Sequence, residues 1–264
     1  MKLQNQLNFN WSPYYEDIGI FGKKGEGKTE RAKRILDLVP NLPRWIWSPQ
    51  RPLENYSGYG EPVTSIEDLK YGAYLFNGDY TRENFKRFCT RAFHNIRNII
   101  LVIDDVHEQC TKQFISQEFE SLILSGRNRG ISSIFISPTP SKVHNSILSQ
   151  CSHIFSYKMT LYSQIEWIEA NFYGKEAWLL LTKDLRNKWY KADSDPDQLP
   201  KYSYLYRKDV DMKTQIMIPD IGNYLTQPES INQEVSLNEN EPKESIDETE
   251  TPSENLKESS TPEN

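Results

Sequence analysis

Gly22-Lys23-Lys24-Gly25-Glu26-Gly27-Lys28-Thr29 fits the pattern GxxxxGK(S/T) without a mismatch. These residue types at this spacing suit one task, the holding of a polyphosphate chain. Glycines let a short loop wrap tightly with its backbone N–H groups turned inward. Those groups, with the positive end of the helix that follows, hold phosphate oxygens. Lys28 is expected to reach the β- and γ-phosphates, and Thr29 to place its hydroxyl on Mg²⁺. Lys23 and Lys24 either add positive charge to the site or simply face water. Residues 22 to 29, with Glu30 just beyond, are therefore the candidate nucleotide-binding residues, with ATP and Mg²⁺ as ligands.

A second chemical element lies some 75 residues downstream. The apolar run Ile99-Ile100-Leu101-Val102-Ile103 ends in Asp104-Asp105. A carboxylate-tipped strand is the other half of a phosphate-loop site. Asp104 is expected to hold a magnesium-bound water, and Asp105 to orient and help deprotonate an attacking water. Two solvated acids at a strand end are the alternative. The adjacent second acid favours hydrolysis of a nucleoside triphosphate over phosphoryl transfer to a small substrate, because hydrolysis needs a base beside the water.

The rest of the chain supplies elements that could position these groups. Asp17-Ile18-Gly19-Ile20-Phe21 reads as a short buried strand ahead of the glycine-rich loop. Ala32, Ile35, Leu36 and Val39 recur at helical spacing and predict a helix over 28–39, stopped by Pro40. Strands are expected at 44–47, 73–76, 99–103, 131–137 and 153–157. The run 99–103 has the continuous apolar character of a parallel strand buried on both faces. Helices are expected at 81–95, opened by Thr81, and at 113–128, 141–149, 162–171 and 175–183. The Tyr- and Trp-rich stretch 188–208 reads either as a terminal hairpin or as a strand with a long loop. Repeated strand–helix alternation predicts an α/β fold, an open and mainly parallel sheet with helices on both faces. Trp45 and Trp47 alternate on a strand and are expected in the core. Trp11, Tyr14 and Tyr15 are read as packing residues, with stacking on an adenine as the alternative. His107 lies near the acids and is expected to support them indirectly.

A third segment is more specific. Gly126-Arg127-Asn128-Arg129-Gly130-Ile131 leads into Ser133-Ile134-Phe135-Ile136-Ser137, followed by Pro138-Thr139-Pro140-Ser141-Lys142-Val143 and then Ile147-Leu148-Ser149-Gln150-Cys151-Ser152. Together with Ile103-Asp104-Asp105-Val106-His107, this resembles the HerA branch of the FtsK–HerA superfamily and its viral genome-packaging relatives. That family shows "GR-basic-x-G-I", "S-Q-R-P-S-K", "I/V-L-S-Q-C-N" and "I-D-E-A-H" segments, and the packaging ATPases often carry paired Asp. The resemblance covers roughly residues 17 to 160. It implies a RecA-like P-loop ATPase core in a homo-oligomeric, hexameric ring that moves double-stranded DNA, with ATP between neighbouring subunits. It also implies that Arg127 or Arg129 acts across the subunit boundary as an arginine finger. Without the resemblance, both arginines read as a solvated helix end at the negative pole of that helix. The family's sensor Gln falls on Pro138 and its Arg on Thr139, and proline has no amide to sense a γ-phosphate. Asp105 stands where the family has Glu. The β-barrel that precedes the HerA core is expected to be absent.

Composition sets bounds on these readings. The 264 residues have a net charge of -6, but residues 228 to 264 alone hold eleven acidic and two basic side chains. The remainder keeps 29 basic and 26 acidic residues, a mildly basic body compatible with a nucleic-acid partner. The tail has too few large apolar residues to offset the entropy of ordering and is expected to be disordered, a candidate docking segment for a protein partner. The expected organisation is a core over 1–208, a connecting segment of undecided structure over 209–227, and the acidic tail over 228–264. No apolar run is long enough for a membrane span, and the N-terminus lacks a secretory core. With three widely spaced cysteines and no CxxC, the expectation is a cytoplasmic protein with reduced thiols. Two functions follow: a DNA-translocating ATPase, most of all for genome packaging, and an ATPase switch acting on protein assembly. Stimulation of turnover by duplex DNA or by a protein separates them.

Overall fold

A computed structural model describes residues 9–159, 161–173, 204–208 and 214–217. These all lie in the first of the two units into which the chain divides, Met1–Ile231 and Asn232–Asn264. The predicted helix at 175–183 and the acidic tail fall outside the described residues.

Among the described residues the sheet has nine strands. They are β1 (Asp17–Phe21), β2 (Arg44–Trp47), β3 (Glu61–Val63), β4 (Ala73–Phe76), β5 (Ile99–Ile103), β6 (Ile131–Ser137), β7 (Cys151–Tyr157), β8 (Tyr204–Lys208) and β9 (Thr214–Met217). The spatial order is β3-β4-β2-β5-β6-β1-β7-β8-β9. Strands β1 to β7 pair in parallel; β8 and β9 are antiparallel. The helices are α1 (Lys28–Asp37), α2 (Pro52–Asn55), α3 (Arg82–Asn95), α4 (Gln117–Ser125), α5 (Asn145–Gln150) and α6 (Tyr162–Ile168).

Side chains alternate across the strands, so two cores form. Ile18, Ile20, Ile100, Val102, Ile134 and Ile136 join Ala32, Ile35 and Leu36 of α1 on one face. Phe21, Leu101, Ile103 and Phe135 join α3, α4, α5 and α6 on the other. Trp45 and Trp47 are fully buried in this second core, as expected of them. Trp47 stacks on Phe76 at 4.9 Å, edge-on to Phe85 and Phe88. Such aromatic pairs add about 0.5–1.5 kcal/mol beyond the area they bury. The expected mainly parallel sheet with helices on both faces is what the chain forms.

Several boundaries differ from expectation for local reasons. Helix α1 stops at Asp37, because Leu38 and Val39 donate to Ile35 and Leu36 and tighten the last turn ahead of Pro40. The helix expected over 113–128 is only α4 plus a 3₁₀ turn, Gly126–Arg129. Its start is set by Ser116, whose hydroxyl accepts the Phe119 N–H, while Thr111 caps a separate turn upstream. The stretch 141–149 divides into a 3₁₀ turn, Pro140–Lys142, and the short α5. Strand β7 begins at Cys151, earlier than 153, because it pairs with β1 from Asp17 onward. Helix α6 continues as a π turn, Glu169–Tyr173. Of the undecided 188–208 stretch, the last five residues form β8. It makes a hairpin with β9, so the sheet reaches into the segment expected to connect core and tail.

Candidate functional site

Parallel pairing sends the C-terminal ends of β1, β2, β5, β6 and β7 to one edge of the sheet, where open α/β sheets bind ligands. The glycine-rich loop leaves β1 there, Asp104 and Asp105 cap β5, and Pro138 and Thr139 follow β6. Because β6 lies between β1 and β5, its tip sits between the loop and the acids.

The loop is seated from both sides. Gly22 N–H donates to the Ser137 carbonyl at 3.3 Å, and Lys23 N–H donates to the Lys158 carbonyl at 2.9 Å. Gly22 has φ 142°, and a Cβ there would lie 2.5 Å from Tyr157 Cβ, so the loop can leave β1 only through glycine. Gly27, at φ 89°, turns the chain into α1, whose first N–H groups have no partner within the helix. Lys28 is buried, and its ammonium folds back to donate to the Lys23 carbonyl at 2.9 Å. Burial pulls the Lys28 pKa down, while Asp104, Asp105 and Glu26 pull the other way. Lys23 and Lys24 are exposed. Glu30 is exposed too, and its carboxylate pairs along α1 with Lys33 at 2.7 Å and Arg34 at 3.5 Å. That side chain is thus engaged on the outer face of the helix.

The two halves of the site meet. Thr29 donates its hydroxyl to Asp104 Oδ2 at 3.2 Å. Asp104 is nine-tenths buried, and its other oxygen accepts the Asp105 N–H at 3.0 Å. Burial, and then the charge of Asp105, push the Asp104 carboxyl up to about 6. Asp105 is only partly buried and adopts the left-handed conformation, φ 55° and ψ 42°, which turns the chain sharply off the strand. His107 follows in the next turn; burial pulls its pKa down against Asp105 and Glu108, and its Nδ1 has no hydrogen-bond partner among the described residues.

A hydroxyl beside one buried carboxylate, next to a phosphate cradle, fits Mg²⁺. That ion takes one or two protein oxygens and completes its shell with phosphate oxygens and water. Among the described residues no group of three or more His, Cys, Asp or Glu side chains could hold a metal by itself.

One residue of this cluster had no signal in the sequence. Tyr56 is fully buried, and its hydroxyl donates to Asp104 Oδ2 at 3.1 Å. It comes from the segment between β2 and β3, just after α2.

Arg127 and Arg129 lie elsewhere. They precede β6, so they sit at the N-terminal edge of the sheet. The seven residues of β6 span about 20 Å between them and the phosphate edge. Neither can reach the loop of its own chain. Arg127 is exposed, and Arg129 lies over the Phe93 ring at 4.5 Å. Trp11, Tyr14 and Tyr15 are at that same far edge. Trp11 is buried and donates to the Glu16 carbonyl, a packing role as expected.

No family model and no curated protein sequence matches this chain. Solved structures do. The genome packaging NTPase B204 from Sulfolobus turreted icosahedral virus 2, in complex with ATP-gammaS, superimposes with a TM-score of 0.60 at 16% identity, over 78% of this chain and 97% of that one. B204, the DNA-packaging ATPase from Sulfolobus turreted icosahedral virus, gives 0.59 at 16% identity, over 78% and 98%. The chain has the fold of these P-loop packaging NTPases. The mainly parallel α/β fold expected from the sequence is therefore shared with them. Nearly the whole of B204 is covered by the superposition. No helix among the described residues is long and apolar enough to cross a membrane.

Proposed function

We propose that this protein hydrolyses ATP to drive double-stranded DNA through a homo-oligomeric ring, in the packaging of a viral or mobile-element genome within the host cytoplasm. One observation carries the chemistry: the Thr29 hydroxyl at the head of α1 lies 3.2 Å from the Asp104 carboxylate at the tip of β5. Phosphate loop and acid-tipped strand thus form a single site, with Lys28 buried beside them.

In this reading the loop amides and the N-terminus of α1 hold the β- and γ-phosphates. Lys28 exchanges its bond to the Lys23 carbonyl for one to phosphate oxygen. Thr29, and Asp104 through a bound water, would hold Mg²⁺, which would supply positive charge beside the phosphates. Asp105, less buried than Asp104, orients the attacking water and accepts its proton. Arg127 or Arg129 reaches the γ-phosphate of a neighbouring subunit, because the length of β6 keeps both from the loop of their own chain. Pro138 brings no amide to the γ-phosphate, so the Thr139 hydroxyl takes that place just after β6. The DNA step draws support from the fold shared with the packaging NTPases and from the basic balance of residues 1–227.

The test is ATP turnover by the full chain with and without duplex DNA, at low and high salt, beside Lys28→Ala. Stimulation that fades steeply with salt is expected, because DNA binding releases counterions from phosphates. Turnover indifferent to DNA at low salt would reject translocation and leave an ATPase switch acting on protein assembly.

A further inference from the structure

Of the three donors that fix the Asp104 carboxylate, two belong to the elements that define the site. Thr29 comes from the phosphate loop, and the Asp105 N–H from the end of β5. The third, Tyr56, comes from a separate segment. The chain leaves β2 beside β5, where the Trp47 carbonyl accepts the Asp104 N–H at 2.8 Å. It then turns at Arg51, which has φ 50°, makes the single turn of α2 and comes back to α1. This strap, residues 51–60, braces itself: Asn55 donates through its side chain to Gln50 and through its backbone to Arg51, and Tyr59 N–H donates to the Tyr56 carbonyl. It is tied down at two places. Inside, the Tyr56 ring lies in the same buried cluster as Ile35, Leu36 and Val102, with its hydroxyl on Asp104. Outside, Tyr59 donates its hydroxyl to Asp37, the last residue of α1, at 3.0 Å. The strap also exposes Arg51, Leu53 and Glu54 to solvent.

We infer that Tyr56 is a positioning residue for the metal-holding carboxylate, and that through it the 51–60 strap is tightened when the divalent cation binds. The inference rests on the proposed nucleotide site. A phenol hydroxyl is a suitable third donor. It leaves the Asp104 carboxylate oriented toward Thr29, and a bulky ring in a packed cluster cannot swing away with it. Opening of the strap must break the Tyr56–Asp104 bond and expose the ring. A cation that fixes Asp104 therefore makes that opening rarer, and the surface of the strap reports whether the metal site is filled.

The test uses the full chain with a non-hydrolysable ATP analogue, Mn²⁺ as the probe cation followed by electron paramagnetic resonance, and backbone hydrogen exchange over 51–60. Tyr56→Phe keeps the ring and removes only the hydroxyl. It is expected to need roughly tenfold more Mn²⁺, the effect of losing one hydrogen bond to a charged group, while binding the analogue in EDTA as the wild type does. Exchange over 51–60 is expected to slow on adding Mn²⁺ in the wild type and to change little in Tyr56→Phe. Tyr59→Phe, which cuts only the outer tether, should leave the Mn²⁺ requirement unchanged. Equal Mn²⁺ requirement and equal exchange in Tyr56→Phe and wild type would overturn the inference and leave the nucleotide site standing. A wild-type chain that binds no analogue would remove both. If Tyr56→Phe does not fold, exchange in the wild type decides: no slowing over 51–60 with Mn²⁺ refutes the strap.

Discussion

Replacing Lys28 by alanine removes a buried ammonium from the mouth of α1 and leaves the backbone of the loop intact. Alanine is a good residue for a first helical turn, and the ammonium makes one hydrogen bond, to the Lys23 carbonyl at 2.9 Å. With the triphosphate present the ammonium faces phosphate oxygen at about 3 Å, an attraction of about 5 kcal/mol at an effective dielectric of about 20. The bond to Lys23 that must be given up is worth about 2 kcal/mol, as for other hydrogen bonds to charged groups. The difference, about 3 kcal/mol, corresponds to roughly a hundredfold weaker binding of ATP. Turnover should fall further, because negative charge shifts toward the β–γ bridge during phosphoryl transfer and the ammonium is placed to meet it. Binding of a fluorescent ATP analogue and release of phosphate measure the two effects, with thermal unfolding as control. An unfolding midpoint near that of the wild type is expected. Lys28→Ala binding the analogue within threefold of the wild type would refute the reasoning, since the buried ammonium would then have another purpose.

Asp105→Asn should reduce turnover by at least about a hundredfold while leaving Mg²⁺-dependent binding nearly intact, measured by phosphate release and analogue titration. The left-handed backbone at this position suits asparagine, so the fold is retained. Arg127→Ala and Arg129→Ala should each be tested alone and mixed with Lys28→Ala. If one arginine acts across the subunit boundary, the mixture recovers turnover that neither partner shows alone. Arg129→Ala should in addition lose about 0.5–1 kcal/mol of stability with its contact to Phe93, whereas Arg127→Ala should lose almost none, as read by urea unfolding. The Asp17 carboxyl at the start of β1 is pushed by burial from 3.8 up to about 7, against the Ser133 N–H at 2.6 Å and the charge of Arg127. An acid whose folded pKa is raised binds its proton in the folded chain after the unfolded chain has lost it. Its contribution to stability is therefore present below about pH 4 and declines up to about pH 7. Asp17→Asn, which can still accept from Ser133, should match the wild type near pH 4 and gain on it by at most about 1.4 kcal/mol per pH unit up to pH 7. A gap that does not vary with pH would show that Asp17 does not titrate in this way.

The elements legible in the sequence are those with a strong local signal. Strands β1, β2, β4, β5 and β6 were delimited by apolar runs and by the turn residues around them. Helix α3 was marked by Thr81, whose hydroxyl accepts the Asn84 N–H. Some boundaries moved through local bonding, the cap at Ser116 and the tightened turn before Pro40, and the start of β7 moved through its pairing with β1. Strand β3 is only three residues long and carries a proline, so no period could reveal it. Lys28 and Thr29 could be proposed from a contiguous run of particular residue types, and Asp104 and Asp105 from their place at the end of an apolar strand.

The sequence by itself placed the glycine-rich run before a helix, the acid pair at the end of an apolar strand and the alternation of strands with helices. Each is written in residues close together along the chain. Only the tertiary structure decided that β6 lies between β1 and β5, that Thr29 meets Asp104 across 75 residues, that Tyr56 completes the cluster, and that Arg127 and Arg129 stand at the far edge. Strand order and long-range contact come from packing two apolar faces against their helices. That is a global balance which no short stretch of residues encodes.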